Sequence, residues 1–304
     1  MEHYKILNNG SRIPILGYGT SIVHTYKYKR NYNKIDVAKY WAYNILKNKK
    51  QLKKDRAIKK MVYQATRLGY SLFDTSRAYA GSEYCIGKVL EKTDRSNVFI
   101  VTKLSNKDQS KGDVESALKR SLSELNTSYV DLYLIHWPQT NTWLDCWKQM
   151  EELYNKKLCK AIGVCNCNIH HLEKLKSVAD VMPMVNQFEC HPLFTQNELR
   201  QYCKDNNIQV MAYTPTARMD ERLWKTPLVE ISKKYNKSLA QVILRWHIQI
   251  GNIPIVNTSN MKHLKDNIDI FDFSLTDDEV ISISNININS RLRYDPDNCD
   301  FSKL

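Results

Sequence analysis

Apolar residues recur along the chain in short continuous runs, with amphipathic stretches between them. The runs are IPILGYG (13–19), SLFDT (71–75), VFIVTK (98–103), VDLYLIH (130–136), AIGVCN (161–166), MVNQFE (184–189), QVMAYT (209–214) and IPIVNT (253–258). Each reads as a strand covered on both faces, which is what a parallel sheet between helices requires. In the intervening stretches apolar residues fall at helical spacing, as in Val114, Leu118, Leu122 and Leu125, or Leu239, Val242, Ile243 and Trp246. Eight strand-then-helix units predict an α/β fold of the (β/α)8 TIM-barrel type. An open doubly wound sheet is the rival. It usually carries Gly-x-Gly-x-x-Gly after its first strand, and Gly17-Tyr18-Gly19-Thr20 lacks the third glycine. Upstream, HYKILNNGSRIPIL alternates, turns at Asn9-Gly10 and alternates again, so an N-terminal β-hairpin is expected to cap the N-terminal end of the barrel.

Two stretches break this rhythm. Between Ser21 and the second strand lie about fifty residues, more than one helix needs, so an insertion at about 24–60 is expected, helical in part. It holds Lys27, Lys29, Arg30, Lys34, Lys39, Lys47, Lys49, Lys50, Lys53, Lys54, Arg56, Lys59 and Lys60, and an aromatic cluster of Tyr40, Trp41 and Tyr43. The tail from Arg291 to Leu304 shows no periodicity, and either folds over the barrel mouth or frays. Residues 1–304 are otherwise read as a single barrel domain.

Composition adds limits. Hydrophobic residues make up 42% and charged residues 25%, the balance of a folded globular chain. The net charge of +13 gathers in the insertion, so it informs on that segment: a solvated basic face, or a docking site for nucleic acid or an acidic partner. No apolar run approaches the roughly 20 residues that cross a bilayer, and Met-Glu-His-Tyr-Lys opens without a secretion signal, which makes the cytoplasm the expected address. The eight cysteines are irregularly spaced and read as reduced thiols. Cys165, Cys167, Cys190 and His191 lack the paired Cys-x-x-Cys spacing of a zinc site, so no metal is expected.

In such a barrel the chemistry lies where strands deliver their C-terminal residues. These are Asp74, Lys103, His136, Asn166, Gln187, Tyr213 and Asn257 with Thr258, and Tyr79 stands in the loop after Asp74. Singly, Asp74 reads as a helix cap, Lys103 as a side chain reaching for solvent and His136 as a core histidine. Four proton-handling groups on one rim are harder to assign to packing alone.

The ordered motifs FDTSRAYAGSE (73–83), VTKL (101–104), YVDLYLIHWP (129–138), AIGVCN (161–166), VNQFECHP (185–192) and AYTP (212–215) closely resemble the aldo-keto reductases, from Ile13 to about Asp297 with the insertion as the main interruption. The resemblance implies a nicotinamide-dependent oxidoreductase that reduces a small or medium aldehyde or ketone to an alcohol by hydride transfer. The family's catalytic tetrad falls on Asp74, Tyr79, Lys103 and His136, with Tyr79 as general acid. The chemistry suits these groups: an alkoxide forming under hydride transfer needs a proton, and a phenol of pKa near 10 is a poor donor. A lysine ammonium nearby lowers a phenol's pKa by roughly 1–3 units, and a carboxylate keeps that lysine charged. His136 is expected to hold the carbonyl oxygen, its tautomer left open.

The resemblance also places cofactor contacts at Gly19, Thr20, Asp74, Cys165, Asn166, Gln187, Tyr213, Thr214, Pro215, Asn257, Thr258, His263, Asp266 and Asn267. Asn166 and Gln187 match positions that bond the nicotinamide carboxamide, and Tyr213 matches the ring that stacks on it. Cys165 stands where the family usually has serine. Asn257, Thr258 and His263 stand where NADPH-preferring members carry Lys, Ser and Arg around the 2′-phosphate, so NADPH is the family default and NADH becomes plausible. Substrate contacts are expected at Ser21, Tyr79, His136 and Trp137. A second reading is a catalytically weak or inactive barrel acting as a binding or regulatory subunit. The resemblance suggests a monomer.

Overall fold

The computed structural model describes residues 3–21, 37–79, 81–138 and 141–299, and along 37–51 the helical backbone alone. A hairpin of β1 (Tyr4–Ile6) and β2 (Arg12–Pro14) precedes eight parallel strands: β3 (Gly17–Gly19), β4 (Leu72–Asp74), β5 (Phe99–Leu104), β6 (Leu132–Ile135), β7 (Ile162–Cys165), β8 (Val185–Glu189), β9 (Gln209–Tyr213) and β10 (Ile253–Val256). These pair in chain order, and β10 closes the barrel on β3. Every residue of these eight strands is buried except the two ends of β9, which is why the sequence shows continuous apolar runs and not alternation. Gly163 in β7 permits the close approach of β8, since a Cβ there would stand 2.5 Å from the Val185 carbonyl oxygen.

The hairpin loop is longer than a two-residue Asn-Gly turn. Leu7 N–H bonds Ser11 O at 2.9 Å, Gly10 N–H bonds Leu7 O at 2.9 Å, and Gly10 sits at φ 81°, where glycine is unstrained. Asn8 and Asn9 bond the carbonyls of Asn207 and Lys160, which precede β9 and β7, so the hairpin covers the N-terminal face. Its Leu7 and Ile13 are buried in the core.

Helices α1 (Val37–Arg67), α2 (Ser82–Leu90), α3 (Asn106–Gln109), α4 (Val114–Leu125), α5 (Trp143–Asn155), α6 (Ile169–Lys176), α7 (Asn197–Asp205), α8 (Leu228–Tyr235), α9 (Leu239–Gln249), α10 (Met261–Ile268) and α11 (Asp277–Ser284) follow the strands. The apolar stripes read from the sequence in α4 and α9 face the core. Side-chain caps from Asp113, Ser238 and Thr276 satisfy the first amides of α4, α9 and α11. The inserted segment has no boundary near residue 60. Helix α1 runs through that point without a break, and its later residues Ile58, Met61, Val62 and Ala65 are packed as the first helix of the barrel. The earlier part of the segment, 24–36, lies outside the described residues. None of the helices in the described residues is long and apolar enough to cross a membrane.

The tail is anchored as far as Asp297. Glu189, at the end of β8 and fully buried, accepts the N–H groups of Leu292 and Arg293 at 2.8 and 3.1 Å and lies 3.0 Å from Nε2 of His191. Further on, Asp297 accepts from Asn168 at 2.8 Å and pairs with His170 at 3.2 Å. The tail therefore crosses the C-terminal rim, where β8 ends.

Candidate active site

Register sets the first pair. Asp74 ends β4 opposite Val101, and Lys103 is two residues further along β5, hence on the same face of the strand. Its Nζ stands 2.7 Å from each Asp74 carboxylate oxygen and 2.8 Å from the Thr75 carbonyl, so all three ammonium protons have acceptors. Gln187 from β8 adds its amide N–H to the same carboxylate at 2.8 Å. Lys103 is 1% and Asp74 4% exposed. Burial alone pulls the Lys103 pKa down, but the Asp74 carboxylate more than reverses this and the net shift is upward. The ammonium is charged.

Tyr79 sits over this pair. Lys103 Nζ is 5.1 Å from the centre of its ring, and His136 meets the ring edge-on, with centroids 5.7 Å apart and planes at 78°. Tyr79 and His136 are half-buried. The Tyr79 pKa is raised, a correction to the sequence expectation. Burial of the phenolate is the largest effect, Lys103 opposes it, and the Asp74 charge offsets part of the lysine's pull. His136 is pulled down to about 3, first by burial and then by Lys103, so its imidazole is neutral. Its carbonyl accepts from Asn166 at 3.0 Å, and its Nδ1 lies 3.3 Å from the Ser76 hydroxyl.

The amide-bearing strand ends are interlinked. Tyr213 O–H donates to Asn166 Oδ1 at 2.7 Å, and the Cys165 thiol lies 3.7 Å from Gln187 Oε1. Asn166 holds φ 61°, a left-handed conformation that asparagine tolerates. Gly19 and Thr20 are buried beside Asp74, whose carbonyl accepts both the N–H and the hydroxyl of Thr20, at 2.9 and 3.1 Å. Beyond β9, Thr214, Ala217, Arg218 and Met219 are all left-handed, at roughly 1–2 kcal/mol each. Pro215 in this strained loop is fixed through its carbonyl by His247 at 3.0 Å.

At the β10 end, Asn257 bonds the Ser21 carbonyl and the Thr258 carbonyl accepts from Tyr18 at 3.0 Å. His263 is exposed, Asp266 pairs with Lys262 at 3.2 Å and Asn267 is buried. Trp137 is buried, its ring 6.5 Å from that of His136, and Ser21 is half-buried at the rim.

Sequence reasoning missed the Gln187–Asp74 bond, the Thr75 carbonyl and Ser76. Only Ser76 carried a signal, as a hydroxyl inside the FDTSRAY motif. The donor set suits a nicotinamide: the amides of Asn166 and Gln187 meet at one rim beside the half-exposed ring of Tyr213, which offers a face for stacking. For a 2′-phosphate the fit is poorer, because the matched positions Asn257, Thr258 and His263 bring no lysine or arginine, and Lys262 is engaged with Asp266. Among the described residues, the one group of histidine and acidic side chains close enough for a shared ion is His170, His171 and Asp297, which fastens the tail to α6 away from the tetrad.

A model of the Aldo/keto reductase family matches residues 40–288. The glyoxal reductase of Bacillus subtilis (strain 168) is 40% identical over 237 residues, covering 78% of this chain and 86% of that protein. The 9,11-endoperoxide prostaglandin H2 reductase of Trypanosoma cruzi (strain CL Brener) is 40% identical over 238 residues, with coverage of 77% and 84%. Among solved structures, the Bombyx mori aldo-keto reductase in complex with NADP superposes with a TM-score of 0.82 at 30% identity, over 97% of this chain and 95% of that one.

Proposed function

We propose, from the premise that this chain belongs to the aldo/keto reductase family, that Asp74, Tyr79, Lys103 and His136 perform the proton chemistry of carbonyl reduction. The protein is a nicotinamide-dependent oxidoreductase acting on carbonyl compounds. When bound, the reduced nicotinamide supplies the hydride that attacks the carbonyl carbon. As the carbonyl oxygen gains negative charge, the Tyr79 hydroxyl gives it a proton. Burial keeps Tyr79 protonated at rest, and the Lys103 ammonium stabilises the phenolate left behind. Asp74 keeps that ammonium charged, and the neutral His136 orients the oxygen toward Tyr79. Cys165, Asn166 and Gln187 would take the carboxamide, and Tyr213 the ring face. Gly19, Thr20, Thr214 and Pro215 line the adjoining rim, and Asn257, Thr258, His263, Asp266 and Asn267 the adenosine end.

The observation that carries this reading is the doubly bonded Lys103–Asp74 pair beneath the Tyr79 ring, with His136 at the ring's edge. A small aldehyde or dicarbonyl fits best, since Trp137 gives an apolar wall and Ser21 adds little bulk. Glyoxal and methylglyoxal reductases among the relatives support the same class. NADPH is the natural cofactor, with weak discrimination against NADH because the phosphate grip lacks its cations. That change bears on which dinucleotide binds and leaves the proton machinery whole, so it does not favour the reading as a binding or regulatory subunit.

Tyr79→Phe tests the assignment. NADPH is expected to quench tryptophan fluorescence as in the wild type, while turnover of methylglyoxal falls by about 10²- to 10⁴-fold. Normal turnover in that variant would remove Tyr79 from the reaction.

A further inference from the structure

Ser76 lies two residues beyond β4, is 1% exposed, and places its hydroxyl 3.3 Å from Nδ1 of His136. The same oxygen accepts the backbone N–H of Ala78 at 3.1 Å. A serine hydroxyl has two lone pairs and one proton. With Ala78 on one lone pair, two arrangements remain. If Nδ1 carried the ring proton, Ser76 would accept twice and its own O–H would need a further acceptor; among the described residues its only partners are Ala78 and His136. A buried donor left unmatched is costly. If Ser76 instead donates to Nδ1, every proton has an acceptor and the ring proton resides on Nε2.

We infer that Ser76 is a positioning residue that fixes His136 in the tautomer protonated on Nε2, so that the imidazole meets the substrate's carbonyl oxygen as a hydrogen-bond donor. The nitrogen facing Ser76 is occupied, which leaves Nε2 for the incoming oxygen. The main chain of His136 is held on both sides, its N–H by the Leu104 carbonyl at 3.3 Å and its carbonyl by Asn166 at 3.0 Å, which fixes the point from which the ring projects. A neutral ring beside the Lys103 cation has no second proton to fall back on, and the identity of the protonated nitrogen decides whether it donates or accepts. The inference rests on the role given to His136 above.

Nitrogen-15 NMR of the full chain labelled at histidine reads the tautomer without turnover, with the His136 signals assigned through His136→Gln. The wild type is expected to show the Nε2-protonated pattern, and Ser76→Ala a substantial Nδ1-protonated population. In reduction of methylglyoxal by NADPH, Ser76→Ala is expected to lose roughly 2- to 10-fold in kcat, the scale of one neutral hydrogen bond, with KM for NADPH unchanged. Ser76→Cys retains a weak donor of similar size and should fall between, which guards against a folding defect in the alanine variant. An Nδ1-protonated wild type, or an Nε2 pattern that survives in Ser76→Ala, overturns the inference. A tautomer that shifts as expected while kcat stays level upholds the role of Ser76 and assigns the failure to the role given to His136.

Discussion

Replacing Asp74 with asparagine keeps the shape of the side chain and one acceptor oxygen but removes the charge that holds Lys103 protonated. Lys103 is 1% exposed, so the variant must either bury an unpartnered ammonium or discharge it. Removing one member of a buried ion pair costs about 3–5 kcal/mol. An ordinary lysine gives up its proton at pH 7 for about 4.6 kcal/mol, so discharge caps the loss near that value. The pH dependence separates the outcomes. In the wild type the folded pKa of Lys103 is raised above the unfolded value. Its contribution is thus complete below the unfolded lysine's pKa and is lost only as pH climbs through the folded one, which leaves stability level on this account from pH 6 to 9. In Asp74→Asn a neutral Lys103 means that the unfolded chain binds one more proton, and stability rises by about 1.4 kcal/mol per pH unit. The gap between the two proteins should therefore narrow by about 2.7 kcal/mol over two pH units, or about 4 °C in Tm. Scanning calorimetry of both proteins from pH 6.5 to 8.5 measures this, and kcat of the variant should decline toward the alkaline end. A Tm gap that does not change with pH would mean that Lys103 stays charged without Asp74, and the reasoning about the pair would be wrong.

Two further changes probe the edges of the site. Asn257→Lys with His263→Arg returns cations to the matched phosphate positions. Affinity for NADPH should rise by roughly 10- to 100-fold at low salt, with the gain shrinking as salt rises and little change for NADH; fluorescence titration of both cofactors checks it, and equal gains for the two would refute a missing phosphate grip. Glu189→Gln replaces one acceptor of the buried carboxylate with a donor, facing the Leu292 and Arg293 amides and His191. A loss of about 1–3 kcal/mol and faster tryptic cleavage at Arg293 are expected, and wild-type cleavage rates would show that the tail is held elsewhere.

Much of the barrel is legible in the sequence, because a strand covered on both faces leaves an unmistakable apolar run and the chemistry must then sit at the ends of such runs. Asp74, Lys103, His136, Asn166, Gln187 and Tyr213 were all reached in that way. What was hidden depends on contacts between distant parts of the chain. Gln187 bonds Asp74 across 113 positions and Tyr213 bonds Asn166 across 47. Glu189 read as one more strand residue, and its function as the anchor of the tail needed the amides of Leu292 and Arg293 beside it. The inserted segment merged with the first barrel helix for a related reason: helix α1 is continuous through residue 60, and it takes the buried positions of Ile58, Met61, Val62 and Ala65 to show that this part of it packs on the barrel.

Electrostatics was the least legible part, because the sequence names groups while the outcome depends on which of two opposing effects is larger. Lys103 has a different consequence for each neighbour. For Lys103 itself burial favours the neutral form and Asp74 overturns that preference. For Tyr79 burial again favours the neutral form, and the lysine, partly offset by Asp74, opposes it without prevailing. For His136 burial and the lysine act together. The resting site thus holds a charged ammonium, an intact phenol and a neutral imidazole, which is the set of protonation states that the proposed proton transfer requires. The lysine does not need to ionise Tyr79 in advance. In the proposed mechanism its value lies in the step itself, when the phenol has lost its proton and the cation already in place has a full negative charge to stabilise.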